Sequence, residues 1–381
     1  MKKIHFILFT VIATVACQAQ TTLVDSIISG GIYRSYRLYI PAVYSSANQT
    51  PLVINLHGYT SNAQQQQLYS NFMPIADTAN FLMVYPNGTY NSGQRFWNAG
   101  MSSLLVDDIG FISHLIDSLK TQYNIDLNSV YSTGMSNGGF MSHTLACELS
   151  NRIAAIASVT GSIFTTQYGS YCHPTRPVPA MQIHGTADPT VPYAGNTAQG
   201  MMPVDSVVKY WVVKNGCNTT PVFSNVPNSN TGDGCTAEHY VYKNGNSGST
   251  VELYKVIGGA HTWPGSPYVL GVTNQDFNAS VEIWRFFRKY KLNTLTSVST
   301  LNKKQYSLLV YPNPATDVLT INTTDHSSIV SYTITDVLGK VVLSETTSGN
   351  SVSVKGLNAG VYVLSVKHTS NDISMVKFIK N

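Results

Sequence analysis

Tyr131-Ser-Thr-Gly-Met-Ser-Asn-Gly-Gly-Phe140 reads as the end of a β-strand, a cramped turn and the start of a helix, with Ser136 at the tip. Gly134, Ser136 and Gly138 have the spacing of a nucleophile elbow. In such a turn the backbone crowds around the serine, small residues on either side relieve the crowding, and the hydroxyl is left exposed above the sheet. The flanks agree with that reading. Asn128-Ser-Val-Tyr-Ser-Thr133 is β-prone, and Phe140, Met141, Leu145 and Ala146 recur at helical spacing.

Outward from the elbow, strands and helices alternate. Thr21 to Ile40 suits a hairpin turning at Gly30-Gly31. Leu52 to Leu56, Phe81 to Pro86, Ala154 to Val159, Val178 to Gly185 and Val251 to Ile257 suit buried strands. Val106 to Tyr123, Val204 to Val213 and Ser280 to Tyr290 suit helices, and the glutamine run Gln64–Gln67 the solvated start of another. Alternation of this kind predicts an α/β domain with a mainly parallel sheet over residues 20–292. Residues 293–306 change character, being rich in Ser, Thr and Asn, and read as a linker. Over 307–381, about seven short β-prone runs separated by turns predict a small all-β sandwich, with His326 and His368 on its surface.

Bulk composition narrows the function. Of 381 residues 43% are hydrophobic and only 11% charged, against about 25% charged in an ordinary soluble domain. The net charge of +4 is spread without a basic block, so there is no electrostatic case for nucleic acid. Residues 1–19, with two lysines, a short apolar run and then small residues, read as a signal peptide cleaved after Ala19. Acylation at Cys17 is the alternative, although Thr14 stands where such signals usually carry Leu. No later stretch is long and apolar enough for a membrane span. Cys147, Cys172, Cys217 and Cys235 remain, and in an exported chain they favour two disulfides, with 147–172 and 217–235 the local pairings among three possible connectivities. No metal spacing is present.

A serine nucleophile needs a base and an acid, and behind this elbow the chain order is Ser, then Asp or Glu, then His. Asp188 follows the buried strand ending in His184-Gly185, and His261 follows a strand and the pair Gly258-Gly259. His239, inside an alternating stretch, is the rival base; Asp205, Asp233 and Asp276 are rival acids. By position, the N–H groups of Tyr59, in the loop after the first buried strand, and of Asn137 form the oxyanion hole. His57 suits loop bracing, and Asp107 and Asp108 suit helix-start charge. Trp263, Trp97 and Tyr193 are candidates for an aromatic, substrate-binding wall.

The stretch from about Thr21 to Tyr290 resembles the esterase family of polyhydroxybutyrate depolymerases and feruloyl or acetyl-xylan esterases. The resemblance rests on Leu56-His-Gly58, Asp108-Ile-Gly-Phe111, Gly134-Met-Ser-Asn-Gly-Gly139, His184-Gly-Thr-Ala-Asp188 with Val191-Pro-Tyr193, and His261-Thr-Trp-Pro264. It implies an α/β-hydrolase fold, an ester substrate, no cofactor, and Ser136, Asp188 and His261 as nucleophile, acid and base. Many relatives carry a cysteine where this chain has Tyr59. Residues 308–381 look like the C-terminal sorting domain of the type IX secretion system, on Tyr311-Pro-Asn-Pro-Ala-Thr-Asp317, Asp336-Val-Leu-Gly-Lys340, Leu357-Asn-Ala-Gly-Val-Tyr-Val363 and Lys377-Phe-Ile-Lys380. That resemblance implies the type IX machinery as partner and a secreted or cell-surface protein. Feruloyl or acetyl esters of plant polysaccharide are the expected substrates, with polyester oligomers the alternative. An inactive hydrolase serving as a surface binding protein is the alternative of another class.

Overall fold

The structure, a computed structural model, describes residues 20–100, 106–166, 172–292, 308–323, 329–336, 340–346, 349–369 and 373–381. They fall into two compact units, one up to residue 299 and one from 300 onward. The expected signal peptide with Cys17, the expected linker and His326 lie outside the described residues.

In the first unit the strands are β1 (Thr21–Ser29), β2 (Ile32–Ile40), β3 (Thr50–Leu56), β4 (Leu82–Pro86), the small pair β5 (Thr89–Asn91) and β6 (Gln94–Phe96), β7 (Ile125–Met135), β8 (Ala155–Val159), β9 (Ala180–Gly185), β10 (Val222–Asn225), β11 (Thr236–Tyr242) and β12 (Val251–Ile257). The helices are α1 (Ala63–Ser70), α2 (Met73–Ala79), α3 (Asp108–Gln122), α4 (Asn137–Glu148), α5 (Val204–Asn215) and α6 (Ala279–Phe287). Ten strands form one sheet in the order β1-β2-β4-β3-β7-β8-β9-β12-β11-β10. From β4 to β12 neighbours run parallel, and the pairs toward both edges are antiparallel.

The parallel strands are apolar throughout because both sheet faces are covered. Along β3, Leu52, Ile54 and Leu56 join the core under α3, α4 and α5, whereas Val53 points the other way, into the core with Phe72, Phe81, Ile283 and Phe286. From β3 the chain moves to β4 on one side, then returns to place β7 on the other. The carboxyl ends of β3 and β7 therefore meet where the winding reverses, the usual place for a site in an open α/β sheet. Leu56 stands in register with Gly134 there.

Two expectations need correction here. The glutamine run does begin a helix, but Gln66 and Gln67 are buried, Gln66 donating to Asn55 Oδ1 and Gln67 accepting from Arg37 Nε. Cys147 and Cys172 form a disulfide, whereas Cys217 and Cys235 are buried free thiols. Cys217 packs into the core beyond the end of α5, facing the Ser249 carbonyl, while Cys235 sits against Asp233 and Asn274 in a different loop.

The second unit has β13 (Leu308–Tyr311), β14 (Val318–Thr323), β15 (Ile329–Asp336), β16 (Val341–Thr346), β17 (Ser351–Ser353), β18 (Gly360–His368) and β19 (Ile373–Lys380). They form two antiparallel sheets, β13-β14-β17 and β16-β15-β18-β19, around Leu319, Ile321, Ile334, Leu364, Val366 and Phe378. Tyr332 and Phe378 are buried in that core. His368 is also buried, its Nε2 hydrogen-bonded to Ser374 Oγ, and is not the surface residue expected.

Candidate active site

The sequence 131–140 folds as its glycines demand. Strand β7 ends at Met135, α4 begins at Asn137, and Ser136 between them has φ 54° and ψ −121°. A serine held at that angle carries roughly 1–3 kcal/mol of backbone strain. The neighbouring backbone permits nothing else: a Cβ on residue 138 would stand 2.2 Å from the Leu56 carbonyl oxygen, and one on residue 134 would stand 2.7 Å from it. The Ser136 N–H donates to Val159 O at 2.8 Å, which ties the turn to β8.

Asp188 lies in the loop after β9 and His261 in the loop after β12; these strands are parallel neighbours, so their two loops emerge side by side. His261 Nδ1 is 2.7 Å from Asp188 Oδ2. The other carboxylate oxygen accepts the N–H groups of Thr190 and Val191 at 2.8 and 2.9 Å. Burial pushes this carboxyl up, but the hydrogen bonds from His184 and His261 outweigh it and hold Asp188 well below the usual carboxylate range. His261 Nε2, the ring nitrogen not turned to Asp188, remains for the cleft that His261 and Ser136 line together.

The rival residues are engaged elsewhere. His239 pairs with the buried Glu252 at 2.9 Å and stacks on Tyr254. Asp205 accepts the Tyr193 hydroxyl, Asp233 accepts the Cys235 and Gln275 N–H groups, and Asp276 accepts from Asn230 and Asn274. Among the described residues there is no group of three or more His, Cys, Asp or Glu side chains that could hold a metal ion.

The loop after β3 runs beside the nucleophile: a Cβ on Gly58 would stand 3.5 Å from Ser136 Cβ, and Tyr59 follows at the cleft. His57 braces this loop. Its Nδ1–H donates to Gly58 O at 2.7 Å and its Nε2 accepts the Gly88 N–H at 3.0 Å. Burial brings its pKa down to about 4, so the ring is neutral at pH 7. Thr60 N–H donates to Arg95 O, which ties the loop to β6. Asn137 occupies the first turn of α4, where backbone N–H groups have no intrahelical acceptor.

The structure does not bring the expected aromatic wall to the cleft. Trp97 is fully buried, lies parallel to Phe111 with ring centres 6.5 Å apart, and donates its Nε1–H to His57 O at 3.0 Å. Trp263 is fully buried as well, donating to Ser280 Oγ. Tyr193 is half-buried, with its hydroxyl on Asp205. The cleft, of about 540 Å³, is instead walled by Tyr59, Leu68, Tyr69, Tyr268 and Leu270 beside Ser136 and His261. Leu68, Tyr268 and Leu270 are exposed apolar side chains. The apolar triplet Tyr268-Val-Leu270 between Pro267 and Gly271 is the sequence signal that could have found this wall. Asp108 also does more than open a helix: it is buried, takes Arg34 Nη2 at 2.5 Å, and accepts the Asn98 N–H at 2.7 Å, fastening the loop that carries Trp97.

Two known families match parts of this chain. Residues 34–196 match the family described as Esterase PHB depolymerase, a match that includes Ser136 and Asp188 and ends before His261. Residues 309–381 match the Secretion system C-terminal sorting domain. A bifunctional acetylxylan esterase/xylanase of Neocallimastix patriciarum is 32% identical over 164 residues, covering 43% of this chain and 22% of that protein. Feruloyl esterase B of Piromyces equi is 28% identical over 229 residues, covering 58% of this chain and 41% of that protein. The chain thus spans less than half the length of either relative. An acetyl xylan esterase structure from Aspergillus awamori aligns with a TM-score of 0.49 at 16% identity, over 63% of this chain and 94% of that one. The chain thus carries a segment similar to the Esterase PHB depolymerase family, followed by one similar to the secretion sorting domain.

Proposed function

We propose that this chain, with its esterase domain and its sorting domain, is a secreted serine carboxylesterase that uses Ser136, His261 and Asp188. The observation that carries the reading is the 2.7 Å contact between His261 Nδ1 and the buried Asp188 carboxylate, at a cleft that also holds Ser136 on its strained turn. Ser136 Oγ attacks the ester carbonyl as its proton passes to His261 Nε2. Asp188 holds the ring and stabilises the imidazolium, and the N–H groups of Tyr59 and Asn137 take the oxyanion. His261 then protonates the leaving alcohol. Water, activated by the same base, frees the acid and restores Ser136. Residues of the chain supply every one of these roles.

Feruloyl or acetyl esters of plant polysaccharide are the substrates we favour, on the activities named for the two fungal relatives. A cleft walled by Tyr59, Tyr69 and Tyr268 suits a flat aromatic acyl group. Polyester oligomers are the second reading, favoured by the name of the matched family. The C-terminal unit serves as an address read by the type IX machinery, and residues 1–19 as the signal peptide that precedes it. The test is kcat/KM of the full chain on methyl ferulate, on a simple acetate ester and on a 3-hydroxybutyrate dimer, with Ser136→Ala as the blank. Loss of all turnover in the blank, and preference for ferulate in the parent, are expected. Unchanged turnover in Ser136→Ala sinks the assignment, and preference for the dimer moves the enzyme to polyester.

A further inference from the structure

Behind the Asp188 loop lies a series of buried polar side chains that the mechanism above does not use: Trp211, His143, Gln182 and His184, each no more than 3% exposed. Their hydrogen bonds link end to end. Trp211 Nε1 is 3.0 Å from His143 Nδ1, His143 Nε2 is 3.1 Å from Gln182 Oε1, and Gln182 Nε2 is 3.0 Å from His184 Nδ1. His184 Nε2 is 2.8 Å from Val191 O and 3.4 Å from Asp188 Oδ2.

The direction of every proton in this series follows from groups that have no choice. An indole N–H only donates, so His143 Nδ1 must accept and His143 Nε2 must carry the hydrogen. A carbonyl oxygen only accepts. Gln182 Nε2 also lies 2.8 Å from Gly161 O, so that end of the amide is the NH₂ and Oε1 faces His143. The same rule applied to Val191 O puts a hydrogen on His184 Nε2, and the Gln182 NH₂ leaves His184 Nδ1 as an acceptor. Assignments made from the Trp211 end, from Gly161 and from Val191 agree. Burial holds His143 down to about 4, consistent with a neutral ring.

We propose that Gln182 and His184 are positioning residues for the triad acid, the last links of a one-way hydrogen-bond chain Trp211→His143→Gln182→His184 that ends on Asp188 and its loop. The proposal rests on the reading of Asp188 as the acid. Gln182 and His184 are two apart on β9, so both project to the same sheet face, and His143 lies on α4, the helix that Ser136 opens. The chain thus ties the nucleophile helix to the acid loop. His184 gives its one N–H to Val191 O, with the same nitrogen 3.4 Å from Asp188 Oδ2, while the Val191 N–H bonds the other carboxylate oxygen. The carboxylate is therefore held at both oxygens, with Oδ2 turned to His261. In the other tautomer His184 would set a lone pair against Val191 O, which would lose its donor, and toward the nearby Asp188 carboxylate.

The test uses the intact protein labelled with ¹⁵N-histidine, with ring signals assigned from His184→Gln and His143→Gln. At pH 7 His184 and His143 are expected as neutral Nε2–H tautomers. A proton on Nδ1 of His184 overturns the proposal. Kinetics supply the second arm: His184→Leu is expected to lower kcat roughly 10- to 100-fold with KM changed less than about threefold, and His184→Gln, which keeps an N–H donor, to recover much of that loss. An unchanged kcat in His184→Leu, or a Gln variant as impaired as the Leu variant, overturns it. Full turnover in Ser136→Ala instead removes the enzymatic reading itself, and a wrong tautomer at His184 with Ser136→Ala inactive removes this inference alone.

Discussion

The side-chain amide of Asn137 bonds both polar groups of the Trp97 backbone: Oδ1 accepts the Trp97 N–H at 2.6 Å, and Nδ2 donates to the Trp97 carbonyl at 3.0 Å. One residue thus offers its own N–H near the nucleophile and locks the loop whose indole bonds His57 O. Asn137→Ala keeps the backbone donor but leaves the buried Trp97 N–H unpaired, at a cost of roughly 1–3 kcal/mol, while the Trp97 carbonyl keeps only the Ala99 N–H at 3.0 Å. The expected result is a lower melting temperature and a fall in kcat of about tenfold or more. Parental kcat and Tm would show that the amide does not hold this loop.

Asp188→Asn exchanges an acceptor for an amide that cannot take N–H bonds on both sides. The expected loss in kcat is about 10⁴-fold, the size seen when a triad histidine is left in the wrong tautomer. Steady-state kinetics against the Ser136→Ala background decide it, and a loss under tenfold would mean that His261 does not rely on Asp188.

Acid should weaken the fold before carboxylates titrate. Burial holds His57 and His143 at about 4, against an ordinary 6.5. Between those pH values the unfolded chain binds more protons, so stability rises with pH there. The contribution is complete above pH 6.5 and is lost as pH falls toward 4, by up to about 3 kcal/mol for each ring. Urea midpoints of Ser136→Ala at pH 7, 5.5 and 4.5 should fall in that order. A flat series would show that both rings take up protons without unfolding.

The cleft wall can be probed separately from the chemistry. Leu270 is 63% exposed and Tyr268 is 51% exposed, so truncating either costs little stability. Leu270→Ala and Tyr268→Ala should each lower kcat/KM on methyl ferulate by roughly 10-fold, within the 1–3 kcal/mol that one apolar contact contributes to discrimination, and leave a simple acetate ester nearly unaffected. Equal losses on both esters would place the acyl group elsewhere.

What the sequence by itself determines here is local. The elbow is legible in 131–140 because its glycines answer to backbone atoms of the same turn and of the adjoining strand end, and no side chain larger than hydrogen fits. The hairpin at Gly30-Gly31 and the seven short strands of the second unit follow from turn chemistry and alternation over a few residues. Asp188 and His261 stand out as candidates because each follows a strand in the chain order Ser, Asp, His.

Tertiary structure decided the rest, because burial and pairing depend on which distant segments cross. The contact between Asp188 and His261 exists because β9 and β12 are neighbours, although Val204–Asn215 and two further strands intervene in the chain. In the sequence Trp263 stands out as a cleft aromatic because it is two residues from His261, and Trp97 suits cleft or core equally; the packing of Phe111 and Ser280 against them puts both inside. Gln66, Gln67 and His368 are polar and read as solvated, yet each is buried on a partner far from it in sequence or across a strand pair. Cys217 and Cys235 remain apart because their loops dock on different neighbours. In each case the deciding energy is a contact between residues that only the assembled sheets bring together.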